Sequence, residues 1–219
     1  LQEASKVIPI AADRLQWDFI VVEDNFSAPL PPSIEPENAI PQKTVLFIGV
    51  PREIVDAYRE VFSLAGLTLV ALDIESMSLG RALLSLAETK SWLDALEDEA
   101  RRKASTMIID SGARTTTISI FDRNQILVMS VNIPIAGERF TEAIQEKLGV
   151  SAKEAEELKR KFGFDGPKGE GRVFSVLQAE FQKILEELKP IIQYYERKRG
   201  ERFERVILAG GLLYIINFL

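Results

Sequence analysis

The residues best able to do chemistry stand in one short run, Met107-Ile108-Ile109-Asp110-Ser111-Gly112-Ala113-Arg114-Thr115-Thr116-Thr117. An apolar strand delivers an aspartate to a turn of small residues, and a series of threonines leaves it. Consecutive backbone N–H groups in such a turn can converge on a phosphate. The threonine hydroxyls add donors, Arg114 adds a planar positive fork, and Asp110 could hold water on a magnesium ion. The same residues also suit an ordinary β-hairpin in which aspartate and glycine serve turn geometry. The local pattern leaves both readings open. No lysine follows the glycine, so the run is not a Walker loop.

Other candidates are weaker one by one. Gly210-Gly211 follows the apolar run Val206-Ile207-Leu208-Ala209. Two glycines there let the backbone approach a flat ligand such as adenine, or simply make a tight turn. Glu156 and Lys159, three apart on one helix face, are either site residues or a solvated ion pair worth a few tenths of a kcal/mol. The glycine-rich stretch from Phe164 to Gly171 lacks a dinucleotide fingerprint and reads as a linker. Arg197, Lys198, Arg199, Arg202 and Arg205 alternate with Glu196, Glu201 and Glu204, the pattern of a mixed-charge helix end rather than a basic patch.

Composition removes whole classes of chemistry. The 219 residues include no cysteine and no histidine, which excludes disulfide scaffolds, Cys/His zinc sites, thiol redox chemistry and any imidazole-dependent mechanism. A formal charge of −6 argues against a nucleic-acid surface. The lack of cysteine suits a reducing cytoplasm. The uncharged run Val206–Leu219 is shorter than the roughly 20 residues a bilayer-spanning helix needs. It reads as a buried strand, a glycine turn and the start of a helix. With Leu1-Gln2-Glu3 opening the chain and no polar cap closing it, the sequence reads as a piece cut at both ends.

The elements that must carry these residues follow from periodicity. Leu15, Trp17, Phe19 and Val21 alternate as in a half-buried strand. A proline-rich segment from Glu23 to Gln42 follows, and its Pro29-x-x-Pro32 suits an excursion better than a polyproline ligand. Thr44–Val50 is a second strand. Pro51 favours the first helical turn, and Ile54, Val55, Tyr58, Val61, Phe62 and Ala65 keep helical spacing up to a stop at Gly66. Leu67–Leu72 reads as a third strand, and Ser76–Ala87 as a helix. Thr106–Asp110, Thr115–Phe121 and Gln125–Asn132 form a meander. Helices are expected from Gly137 to Leu148 and from Ser151, where Ser151-x-x-Glu154 is a capping box. A long helix with the stripe Val173, Val176, Leu177, Phe181, Ile184, Leu185, Leu188 and Ile192 should kink at Pro190, before a last strand Glu204–Ala209.

In this order the pieces resemble the PilM proteins of type IV pilus assembly, in the actin-like ATPase superfamily and related to FtsA. Val70-Ala71-Leu72-Asp73-Ile74-Glu75-Ser76 with Arg81-Ala82-Leu83-Leu84 looks like the family's return segment from its inserted subdomain. Asp110-Ser111-Gly112-Ala113-Arg114-Thr115-Thr116 looks like its second phosphate hairpin. Ile133-Pro134-Ile135-Ala136-Gly137 and Ala155-Glu156-Glu157-Leu158-Lys159 are similar to its nucleotide-contacting helices, and Val206-Ile207-Leu208-Ala209-Gly210-Gly211 resembles its adenosine motif. Three departures stand out. The opening strand and first phosphate hairpin are missing, Ser111 replaces an apolar residue, and Leu212 stands where many relatives carry a third glycine.

The resemblance implies an α/β chain, part of an actin-like ATPase (ribonuclease H-like) fold, with an inserted small α+β subdomain. Residues 1–72 would be the insert that binds a peptide partner, 73–104 a helical return segment, and 105–219 the second lobe. It implies ATP and Mg²⁺ as cofactors. Asp110 would hold Mg²⁺ through water, Gly112, Ala113, Arg114, Thr115 and Thr116 would meet phosphates, and Gly137, Glu156, Lys159, Gly210 and Gly211 the nucleoside. The 110–116 and 210–211 bends would form opposite walls of one pocket. The partner implied is the N-terminal peptide of a PilN-like membrane protein, with PilO and motor ATPases in the same complex, at the cytoplasmic face of the inner membrane. ATP binding is expected rather than efficient hydrolysis, and no catalytic residue is identified. An FtsA-like filament protein and an actin-fold ATPase or kinase are the alternatives.

Overall fold

The computed structural model describes residues 10–22, 44–85, 105–200, 202–211 and 215. The proline-rich segment, the continuation of the second helix to Ala87, and Leu212 lie outside them. The chain divides into two compact units, Leu1–Glu75 and Ser76–Leu219.

In the first unit a 3₁₀ turn, Ala12–Arg14, leads into β1, Leu15–Val22, which pairs antiparallel with β2, Thr44–Pro51. Phe19 lies opposite Phe47, and Trp17 stacks on the Phe47 ring at 5.8 Å between centroids. Helix α1, Arg52–Leu64, starts directly after Pro51, which caps the helix rather than entering it. Its first turn is tied to the 3₁₀ turn by the Arg14–Glu53 ion pair and by Arg52 Nε donating to the Asp13 carbonyl at 2.9 Å. The helix ends at the expected glycine. Gly66 donates to Ser63 O at 3.0 Å, and Leu67 to Phe62 O at 2.9 Å.

Three expectations are corrected in this unit. The alternation of β1 does not bury one face, because Leu15 is buried while Trp17, Phe19 and Val21 are exposed. On α1 only Val55 is buried, and Ile54, Tyr58 and Val61 remain open. Leu67–Leu72 is not a strand but irregular chain, with Val70 91% exposed. A strand needs a neighbour's unpaired backbone groups. Here β1 and β2 pair with each other, and among the described residues Leu67–Leu72 docks on neither of their outer edges.

Helix α2, Glu75–Ser85, belongs to the second unit from Ser76 onward, and the described sheet of that unit has four strands in the order β5-β4-β3-β6. Strands β3 (Thr106–Ser111), β4 (Thr116–Phe121) and β5 (Leu127–Ile133) form the expected antiparallel meander. The last described strand, β6 (Arg205–Gly210), returns to lie parallel to β3. It is not the fully buried strand that its apolar run suggests. It stands at the edge of the described sheet, with Val206 exposed and Ala209 buried.

Side chains alternate across the sheet with period two. Met107, Ile109, Ile118, Ile120 and Ile133 pack with α3 (Gly137–Leu148) and α5 (Arg172–Arg199), through Phe140, Ile144, Leu177 and Ile184. The opposite face meets α2, where Ser76 Oγ and Ser130 Oγ share a hydrogen bond of 2.8 Å. Helix α4, Ala152–Phe162, begins at the capping box: Ser151 N–H donates to Glu154 Oε2 at 2.9 Å, and Glu154 N–H returns to Ser151 Oγ. Helix α5 runs through Pro190 to Arg199. The glycine-rich stretch before it is more than a linker, since Phe164 packs edge-on against Phe174 and Phe181.

Candidate functional site

The hairpin between β3 and β4 is closed by Gly112 N–H donating to Thr115 O at 3.0 Å. Because Ser111 is buried on the α3 side, its neighbour Asp110 must face the other side of the sheet. Thr116 is buried, and its hydroxyl is shared between the Ile135 carbonyl (2.7 Å) and Ser111 Oγ (3.0 Å). The loop that follows β5 is thereby fastened to the hairpin base. Arg114 and Thr115 project at the exposed tip, with Arg114 Nε 3.5 Å from Glu138 Oε1.

Helix α3 begins against this hairpin. Gly137 N–H donates to Gly112 O at 3.1 Å, and Glu138 N–H to Ala113 O at 2.7 Å. A side chain at position 137 would bring a carbon to 3.2 Å from Gly112 O, so glycine is what permits the close approach. The first amides of α3, which the helix itself cannot satisfy, are thus satisfied by the hairpin.

The 110–116 and 210–211 bends lie side by side rather than on opposite walls. Asp110 pairs with Ala209 and Ser111 with Gly210, and Gly211 N–H donates to Ser111 O at 2.8 Å. Gly210 has φ +79°, and a Cβ there would sit 2.4 Å from Asp110 Oδ1 and 2.5 Å from Ser111 O. The close approach that Gly210 makes is to the neighbouring strand. Both bends occupy the carboxyl ends of parallel strands, where open α/β sheets place their ligands.

A cleft of about 930 Å³ opens at this end of the sheet, within the second unit. Gly112, Ala113, Gly137, Glu156, Lys159 and Gly211 all line it, so six of the residues singled out in the sequence are brought together. Asp110, Arg114, Thr115, Thr116 and Gly210 flank the cleft without lining it. Among the described residues no cluster of three or more acidic side chains could hold a metal ion unaided.

Glu156 and Lys159 are not a solvated pair. Lys159 is 6% exposed, and its Nζ lies 2.6 Å from Glu156 Oε2. Burial alone would raise the Glu156 carboxyl. Hydrogen bonds from Lys159, Thr141 and Arg160 outweigh that and hold it down to about 2. Thr141 and Arg160 also line the cleft, and both were missed in the sequence. The signal was present: Gly137, Thr141 and Gln145 are four apart on α3, and Ala152, Glu156 and Arg160 four apart on α4. Each stripe opens on a small residue and continues with two polar ones.

Comparison with known proteins follows the same lines. The chain resembles a solved "PilM-PilN type IV pilus biogenesis complex" chain at 22% identity and TM-score 0.70, over 99% of this chain and 55% of that one. MreB5 of Spiroplasma citri bound to ADP matches at 18% identity and TM-score 0.52, over 77% of this chain and 56% of its own. The ethanolamine utilization protein EutJ from Carboxydothermus hydrogenoformans matches at 19% and 0.52, covering 73% and 49%. The chain therefore spans about half the length of these structures. They establish the α/β actin-like ATPase fold. The family described as type IV pilus assembly protein PilM matches residues 1–219. The chain belongs to that PilM family.

Proposed function

We propose that this chain is part of an ATP-binding scaffold in the type IV pilus inner-membrane assembly complex, and that the cleft of the second unit holds the nucleotide. The carrying observation is the meeting of four separate segments, at 111–113, 137–141, 156–160 and 211, around one cleft at the carboxyl ends of β3 and β6. Its volume of about 930 Å³ suits a nucleotide-sized ligand.

In this reading Ala113, Arg114 and Thr115 turn backbone N–H groups and one guanidinium toward the phosphates, while Gly112, whose N–H closes the hairpin, lets them approach closely. Glu156 and Gly211 flank the nucleoside. Asp110 is a lone carboxylate, and one carboxylate acting through water suits Mg²⁺, which keeps most of its hydration shell. Mg²⁺ would neutralise phosphate charge there. Binding, not turnover, is the function proposed: a ligand that favours one arrangement shifts the population toward it.

We infer further that the first unit receives the N-terminal peptide of a PilN-like membrane protein, with PilO and motor ATPases joining through the complex at the cytoplasmic face of the membrane. The exposed Trp17, Phe19, Ile54, Tyr58 and Val61 supply an apolar surface for such a peptide. Among the described residues no helix is long and apolar enough to cross a membrane.

Titration of the chain with Mg-ATP, followed by calorimetry, tests the nucleotide reading. Saturable binding is expected, weakened about tenfold by Arg114→Ala, the scale of one charge-assisted contact. Absence of saturable binding refutes it.

A further inference from the structure

Lys159 rises from α4 with three ammonium protons. Three acceptors surround it: the Gly137 carbonyl at 2.9 Å, Thr141 Oγ1 at 2.7 Å and Glu156 Oε2 at 2.6 Å. The Thr141 hydroxyl accepts from Lys159 and donates onward to Glu156 Oε2 at 2.6 Å, which closes a ring. The lysine side chain is 8% exposed. Each of its donors is therefore matched within the protein, and a ligand in the cleft could bind it only by displacing one of these partners. A buried ammonium is retained when it is fully paired, and removing a partner is costly.

The residue that Lys159 holds is a junction. Gly137 offers its carbonyl to α4 while its N–H goes to Gly112 O at 3.1 Å, and the next amide, Glu138 N–H, goes to Ala113 O at 2.7 Å. A single peptide segment is gripped from one side by Lys159 and fastened on the other to the hairpin tip.

We propose that Lys159 is a positioning residue that clamps α4 onto the first turn of α3 and, through Gly137, sets the place of the 112–113 hairpin tip, with Thr141 as the third member of the clamp. This assigns Lys159 a different task from the nucleoside contact expected from its motif. The clamp stands whether or not the cleft holds a nucleotide. What it would do for nucleotide binding rests on that reading.

Amide hydrogen exchange on the intact, ligand-free chain tests the clamp. Lys159→Met should speed exchange at Gly137 and Glu138 about tenfold or more, as expected when a local opening is made easier. Leu177 and Ile184 on α5 should stay at wild-type rates. Thr141→Val should act in the same direction, and Thr141→Ser should restore protection. Wild-type exchange at Gly137 and Glu138 in Lys159→Met overturns the proposal. If that variant does not fold, wild-type rates in Thr141→Val overturn it equally. A second arm separates positioning from contact: Lys159→Met should weaken Mg-ATP more than adenosine, which does not reach the hairpin. Equal losses for both would mark a direct nucleoside contact and overturn the assignment. A wild-type chain that binds no Mg-ATP would sink the nucleotide reading and leave the exchange result to decide the clamp.

Discussion

Glu156 shows how a single carboxylate joins fold and site. Its folded-state pKa of about 2 lies below the ordinary glutamate value of about 4.3. A depressed carboxylate contributes stability above its unfolded pKa, and that contribution is lost as protons bind on the way down. The expected window runs from about pH 4.3 to about pH 2. Glu156→Gln should flatten this part of the acid limb while lowering stability near neutrality, as read from urea midpoints at a series of pH values. The motif containing Glu156 was legible in the sequence, and so was its spacing to Lys159. The burial of Lys159 was not, because it depends on Gly137 and Thr141, which belong to another helix.

Among the elements, those governed by local rules were the readable ones. The capping box at Ser151, the stop at Gly66 and the meander all follow from neighbours in the chain. The strand expected at Leu67–Leu72 fails because an apolar run records only a capacity for pairing, and among the described residues no strand pairs with it. Two serines sharpen the contrast between local and buried roles. Ser151→Ala should cost about 1 kcal/mol through loss of the cap. Ser119, buried in β4, has a hydroxyl with no partner among the described residues. An unsatisfied buried polar group costs roughly 1–3 kcal/mol, so Ser119→Ala should raise the midpoint instead. Thermal denaturation of the two variants reads both signs.

At the scale of the whole molecule, the arrangement least visible in the sequence is the parallel pairing of β3 with β6. Met107 lies opposite Val206 and Asp110 opposite Ala209. No periodicity reports which of two distant apolar runs will be neighbours. The motif order suggested one pocket, yet adjacency rather than opposition of the two bends came only from the pairing. Gly210→Ala tests that contact. Its Cβ would meet Asp110 Oδ1 and the Ser111 backbone at a φ of +79°, so a loss of about 2 kcal/mol or more is expected. Exchange protection should fall at Gly211, whose amide bonds to Ser111 O.

The pairing of β3 with β6 also has a temporal meaning during synthesis. Residues 105–200 can leave the ribosome and collapse as meander and helices while the strip beside β3 is still vacant. Only arrival of Arg205–Gly210 completes the sheet and brings Gly211 to the cleft. Distant contacts of this kind form late and slowly. A nascent chain stalled before β6 thus carries the hairpin and both helices of the cleft, but the cleft still lacks the wall that Gly211 supplies.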